Sequence, residues 1–115
     1  MSKVDMKIGD IVQISGKKAE QVVIACGLKE DKAYDGSYWV YEFTTIELPK
    51  HNALTKALDS NLTKTNPKEN HYYLSGYSMR GKGKEVSAAD VKVIGECKLK
   101  KEVEVTYSFD KVRMI

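Results

Sequence analysis

Histidine and cysteine are scarce in this chain, with two of each among 115 residues. There is no Cys-x-x-Cys and no His-x₃-His, so the ligand spacing of a zinc site is missing. His51 and His71 stand beside no recognisable serine or cysteine nucleophile motif, which argues against nucleophilic catalysis. Both read as surface histidines. No run approaches the ~20 apolar residues of a membrane span. The opening Met-Ser-Lys-Val-Asp-Met-Lys mixes acid with base, unlike a secretory signal. The expectation is a cytoplasmic protein (cytoplasm of the host cell if viral) that is not an enzyme, carries no cofactor or metal and meets no membrane. In a reducing compartment Cys26 and Cys97, far apart inside apolar patterns, read as buried thiols rather than a disulfide. Asn61-Leu62-Thr63 has the form of a glycosylation acceptor and reads as accidental without a secretory signal.

What is present is strand-forming material. Seven Tyr, one Trp and two Phe accompany many Val, Ile and Thr. Hydrophobic residues make up 42% and charged residues 30%, the balance of an ordinary globular protein. The length suits a single domain over residues 1–115, large enough to bury a core without staples. A net charge of +3 permits an anionic partner without requiring one.

Lys7-Ile8-Gly9-Asp10 leads into a short strand in which Val12 and Ile14 flank Gln13, and Gly16-Lys17-Lys18 turns the chain. Gln21–Cys26 is a continuous apolar run, expected as a strand buried on both faces. Asp35-Gly36 is a turn signal. Ser37–Leu48 is the longest strand pattern. Trp39, Tyr41 and Phe43 share one side and Val40, Ile46 and Leu48 the other, as in a bent strand that serves two layers. Thr44-Thr45 is a candidate bulge. The aromatic row reads as core, with a small-ligand pocket as the other reading. Glu42, set among apolar residues, faces either solvent at a strand edge or an interior where it needs a partner.

Leu54, Ala57, Leu58 and Leu62 fall at helical spacing, so 50–63 is expected as an inserted helix with Asn52 as its cap. The polar stretch 63–70 reads as an exposed mobile loop. Tyr72–Met79 is a strand interrupted by Gly76, and Arg80-Gly81-Lys82-Gly83-Lys84 reads as a flexible basic hairpin loop without P-loop spacing. Ser87 followed by Asp90 is an N-cap pattern for one helical or 3₁₀ turn. Val91–Ile94 is a short strand ending at Gly95. From Cys97 to Phe109 the apolar residues keep odd parity, as in a strand or hairpin with one wet face. The strand core is thus placed at 7–48 and 71–109, in about six strands.

The opening strand, the basic hairpin and the Val-Ser-Ala-Ala-Asp-Val-Lys-Val-Ile stretch together resemble the layout of SH3-like small β-barrels. There a one-turn 3₁₀ helix precedes the last strand. The resemblance covers Lys7–Ile94 in outline and implies a mainly β, small and strongly bent barrel. The inserted helix and the extra strand after Gly95 depart from a minimal one. An α+β antiparallel sheet with one helix is the alternative. Fold likeness carries no function.

The candidate binding surface comprises Tyr72, Tyr73, Tyr77, Arg80, Lys82 and Lys84, with Lys17 and Lys18 on another turn. Between Lys64 and Lys84 there are five basic residues against Glu69 alone. Aromatic rings stack on bases while cations follow phosphates, and β-barrels that bind single strands use that pairing. A nucleic-acid-binding module is the first reading; the plainer alternative sends the tyrosines into the core. The second is a protein-interaction or inhibitor module, using an exposed strand edge or the Pro49–Asn70 insertion. Small Lys-rich chains without catalytic motifs are common among viral and mobile-element accessory proteins. A homo-oligomer paired through the regular last strand belongs to this reading.

Overall fold

A computed structural model describes residues 6–48, 62–103 and 106–114. The described chain is mainly β. Its strands are β1 (Asp10–Ile14), β2 (Gln21–Ala33), β3 (Gly36–Glu47), β4 (Leu62–Thr65), β5 (Glu69–Leu74), β6 (Lys84–Val86), β7 (Val91–Val103) and β8 (Thr106–Met114). They form one sheet in the order β4-β8-β7-β1-β2-β3-β5-β6. The sheet is curled as a half-barrel.

Alternation in the sequence explains the first strands. On β1, Ile11, Val12 and Ile14 are buried while Gln13 is exposed. Val22 and Val23 are adjacent on β2, so they point to opposite faces. Each is fully buried in a different apolar cluster. One cluster gathers Val12, Ile14, Val23, Phe43, Tyr72 and Leu74. The other gathers Ile11, Val22, Ile46, Leu48, Phe109 and Val112. β3 serves both layers, with Phe43 in one and Ile46 in the other. A bulge does lie beside Thr44-Thr45, but the extra residue belongs to β2, between Val23 and Ala25.

The polar groups of this core are paired, as burial requires. Gln21 is 3% exposed, and its Oε1 accepts from Thr45 Oγ1 and, at 3.2 Å, from the Tyr72 hydroxyl. The Tyr72 ring stacks on Phe43 with centroids 5.1 Å apart.

Beyond Phe43 the β2–β3 hairpin runs on to a two-residue turn at Tyr34-Asp35, where Ala33 faces Gly36. Residues from Lys29 to Ser37 are exposed, so this end is an arm leaving the core. The dimensions are accordingly elongated, at 54 × 30 × 20 Å.

Several expectations change. Most of the helical pattern of 50–63 falls outside the described residues. Its last two positions, Leu62 and Thr63, are in β4, where they pair with Phe109 and Ser108. β-Branched Thr63 and Thr65 suit a strand that has a partner to pair with. The loop expected over 63–70 shrinks to Asn66-Pro67-Lys68, with Asn66 at φ +53°. Both flanks are strand. The 3₁₀ turn is at Ala88–Asp90, where Ser87 Oγ accepts from the Ala89 N–H. No α-helix occurs among the described residues. β7 does not stop at Gly95 but runs through it, because β1 and β8 both pair there. The odd-parity stretch is a hairpin, β7–β8, with Leu99 opposite Phe109. The outer edge of β8 is covered by β4 at Thr106–Phe109.

Cys26 and Cys97 are unbridged and half-buried. Cys97 Sγ lies 3.4 Å from the Gly9 carbonyl oxygen. Burial, and then the carboxylates of Asp110, Asp10 and Glu96, push its thiol up to about 11. Only the thiolate is nucleophilic. Alkylation of Cys97 in the native protein at pH 8 should therefore be on the order of 100-fold slower than in the unfolded chain. Peptide mapping after timed iodoacetamide labelling measures this, and equal native and unfolded rates would contradict it.

Candidate functional site

The chain leaves β5 at Leu74, loops through Ser75–Gly83 and returns as β6. The two strands are parallel, with Tyr72 beside Lys84 and Leu74 beside Val86. Arg80–Lys84 is therefore not a hairpin loop. A parallel return means the loop must double back over β5, and it is pinned as it does so.

The first pin is at Trp39. Its N–H donates to Ser78 Oγ at 2.6 Å, and its carbonyl accepts from the Met79 N–H at 2.9 Å. Glu42 is the second. Its Oε2 accepts from the Lys82 N–H at 2.6 Å, while Oε1 pairs with Lys29 Nζ at 2.7 Å. The Glu42 side chain is only 17% exposed, so it has the partner its position demands. The Lys29 ammonium first, and the Lys82 amide second, hold its carboxyl below the usual carboxylate range. The third pin is steric. A Cβ on Gly81 would lie 2.6 Å from Tyr73 Cβ, and one on Gly83 would lie 2.0 Å from the His71 carbonyl oxygen. These glycines serve close packing, not the looseness their sequence suggests.

Pinned this way, the loop exposes Arg80, Lys82 and Lys84. Lys17 and Lys18 are exposed on the β1–β2 turn, closed by the Lys17 N–H donating to the Ile14 carbonyl at 2.9 Å. The tyrosines divide. Tyr72 and Tyr73 are each 4% exposed and belong to the core, on opposite faces of β5. Tyr72 meets Phe43, and Tyr73 lies under Gly81. They cannot offer ring faces to a ligand. Tyr77 is half-buried, 6.4 Å from Tyr41 between ring centroids.

The aromatic row of β3 grades outward. Phe43 is buried, Tyr41 half-buried and Trp39 is 38% exposed. Burial and Cys26 push the Tyr41 phenol up. Trp39 and Tyr77 line a cleft of about 520 Å³ with Leu28, which is 51% exposed. A sequence signal for this exposure exists. The charged Lys29–Lys32 run opposite Trp39 marks where the hairpin leaves the core.

Two more open clefts adjoin. One, of about 850 Å³, shares Gly76, Tyr77 and Ser78 with the aromatic cleft and is also lined by Arg80 and Lys84. The next, of about 290 Å³, shares Ser75, Lys84 and Glu85 with it and reaches Lys17 and Asp90. Linked by these shared residues, the three clefts make up a stepped trough. Trp39 and Tyr77 line the first, Tyr77, Arg80 and Lys84 the second, and Lys84 and Lys17 the third. Tyr73 and Tyr72, on opposite faces of β5, are in the walls of the second and third. Glu85 and Asp90 line the same trough. Lys82 and Lys18 do not line it.

No protein-family model, curated protein or solved structure matches this chain. Among the described residues no three His, Cys, Asp or Glu side chains gather as a metal site, and no helix is long and apolar enough to cross a membrane. His71 Nδ1 is 3.1 Å from Thr44 Oγ1, bridging β5 to β3. His51 lies outside the described residues.

Proposed function

We propose that this protein is a binding module for single-stranded nucleic acid, held along the trough from Trp39 to Lys17. One observation supports the reading: the exposed aromatic cleft and the basic clefts share lining residues, so exposed rings and cations are neighbours. A base stacks on Trp39 and Tyr77, and phosphates follow Arg80, Lys84 and Lys17. Stacking on an aromatic side chain is worth about 1–3 kcal/mol per base. Glu85 and Asp90 oppose phosphate along the same path, so the binding is modest and strongly salt-dependent.

We also read the fold as SH3-like in outline. β1 lies between β7 and β2, and a 3₁₀ turn leads into β7, which supports an SH3-like outline. The parallel β5–β6 join and the long β2–β3 arm depart from it.

Trp39 is the only tryptophan, so its emission reports on the trough directly. Titration with a mixed-sequence single-stranded oligonucleotide at low salt should quench that emission, and added salt should restore it. Unchanged emission together with no binding by anisotropy at low salt would sink the reading.

A second reading rests on β2. β1 pairs only with its Gln21 and Val22, and no described strand pairs with its outer edge along the arm. Such an edge accepts a strand from a protein partner or from a second copy. Light scattering that shows a monomer, with no partner recovered by affinity capture, would count against it.

A further inference from the structure

We infer that Glu42 is a positioning residue that holds the basic loop in its binding shape, so that removing this negative charge weakens the capture of an anion. The inference rests on the trough reading above. Its basis is one carboxylate with two partners on different elements. Lys29 on β2 holds Oε1 at 2.7 Å, and the Lys82 N–H of the loop donates to Oε2 at 2.6 Å. The bond to Lys82 falls midway between the two cations that line the trough, Arg80 and Lys84. On the other side of that bond, Gly81 sits against Val40, Tyr73 and Glu42 too closely for any side chain. The carboxylate and the missing Cβ therefore act together to draw the loop onto β3 and β5.

The sign of the effect separates this role from simple charge. Glu42→Ala removes a negative charge near the trough and releases the Lys29 ammonium. Coulomb attraction alone would then tighten binding of a polyanion. A positioning role gives the opposite. A loosened loop must be ordered at the moment of binding, and that ordering opposes association. Gly81→Ala reaches the same end from the other side with no change of charge, because its methyl must push the loop away.

The experiment has two readouts on wild type, Glu42→Ala and Gly81→Ala. Native-state hydrogen exchange at Lys82 reads the loop, and anisotropy with a fluorescent single-stranded oligonucleotide reads binding. The expected result is exchange at Lys82 faster by about tenfold or more in both variants, with affinity lower by about three- to tenfold. Thermal melting confirms the fold, and Glu42→Gln, which keeps the volume and one acceptor oxygen, replaces Glu42→Ala if that variant does not fold. Unchanged exchange at Lys82 overturns the inference, whether or not nucleic acid binds. Faster exchange with equal or tighter binding overturns it as well. If wild type binds no oligonucleotide, the trough reading fails, and the inference as a statement about binding falls with it.

Discussion

Gly9→Ala should lower stability by about 3 kcal/mol or more, whereas Gly16→Ala should lower it by only about 1 kcal/mol. Both glycines have positive φ, +96° and +86°, so both variants carry the backbone strain of a left-handed position. They differ in what surrounds them. A Cβ at Gly16 meets nothing within 4 Å, but one at Gly9 lies 2.4 Å from the Cys97 carbonyl oxygen. That oxygen is backbone, and the two strands are already tied there. The Cys97 N–H donates to the Gly9 carbonyl at 2.9 Å, and the Gly9 N–H donates to the Val23 carbonyl at 2.9 Å. Asp10, buried beside it, is held by the Lys7 ammonium at 2.7 Å and the Lys7 amide at 3.0 Å. The clash therefore strains the joins of β1 to both neighbours. Melting temperatures should fall by roughly 10 °C or more for Gly9→Ala and by under half that for Gly16→Ala. Equal losses would show that close approach is not what requires glycine at position 9.

The largest effect on binding should come from Lys17→Ala, Arg80→Ala and Lys84→Ala combined. All three cations are exposed, and none is a partner in the core, so melting should change little. Each phosphate contact on a single strand contributes about −0.7 to the slope of log K against log salt. Losing three should flatten that slope by about 2 and weaken binding at low salt by on the order of 10- to 100-fold. Trp39 quenching should be lost in parallel. A control is Lys98→Ala with Lys100→Ala, exposed cations on β7 away from the trough. If the control flattens the slope as much as the triple variant, the contact is diffuse and the trough is not its site.

The elements the sequence makes legible are those whose neighbours are local. β1 to β3 follow from alternation and from the Asp35-Gly36 turn, because a hairpin pairs residues that are close along the chain. The odd parity from Cys97 to Phe109 survives a chain reversal for a specific reason. The shift between Lys101 and Val103 sets odd residues opposite odd ones, as in Leu99 with Phe109 and Lys101 with Tyr107. Sequence could show the parity but not the reversal. The trough is half legible. Arg80, Lys82 and Lys84 are exposed as their type suggests. Tyr73 reads as surface because its cover, Gly81, comes from a loop doubling back in a parallel return that no local pattern announces. The same return turns Gly81 and Gly83 from apparent slack into packed positions. Trp39 reads as core from its parity with Phe43, and parity says nothing of how far along an arm the core extends.

The β1–β2 join is short. It comprises Ile11 with Val22 and Val12 with Gln21, whereas β2 and β3 are paired along almost their whole length. On one side of it lie β4, β8, β7 and β1, and on the other β2, β3, β5 and β6. The sheet thus has two halves that meet at a short ladder, with Gly9 bonded to both. Both apolar clusters cross this join, with Val12 and Ile14 against Val23 and Phe43 in one and Phe109 and Val112 against Val22 and Ile46 in the other. Side-chain packing rather than ladder bonds therefore ties the halves together. The trough's rings and loop cations all ride on the second half. Lys17 sits on the turn that crosses this join, so a strand bound from Trp39 to Lys17 would act as a strut across the sheet's shortest antiparallel ladder.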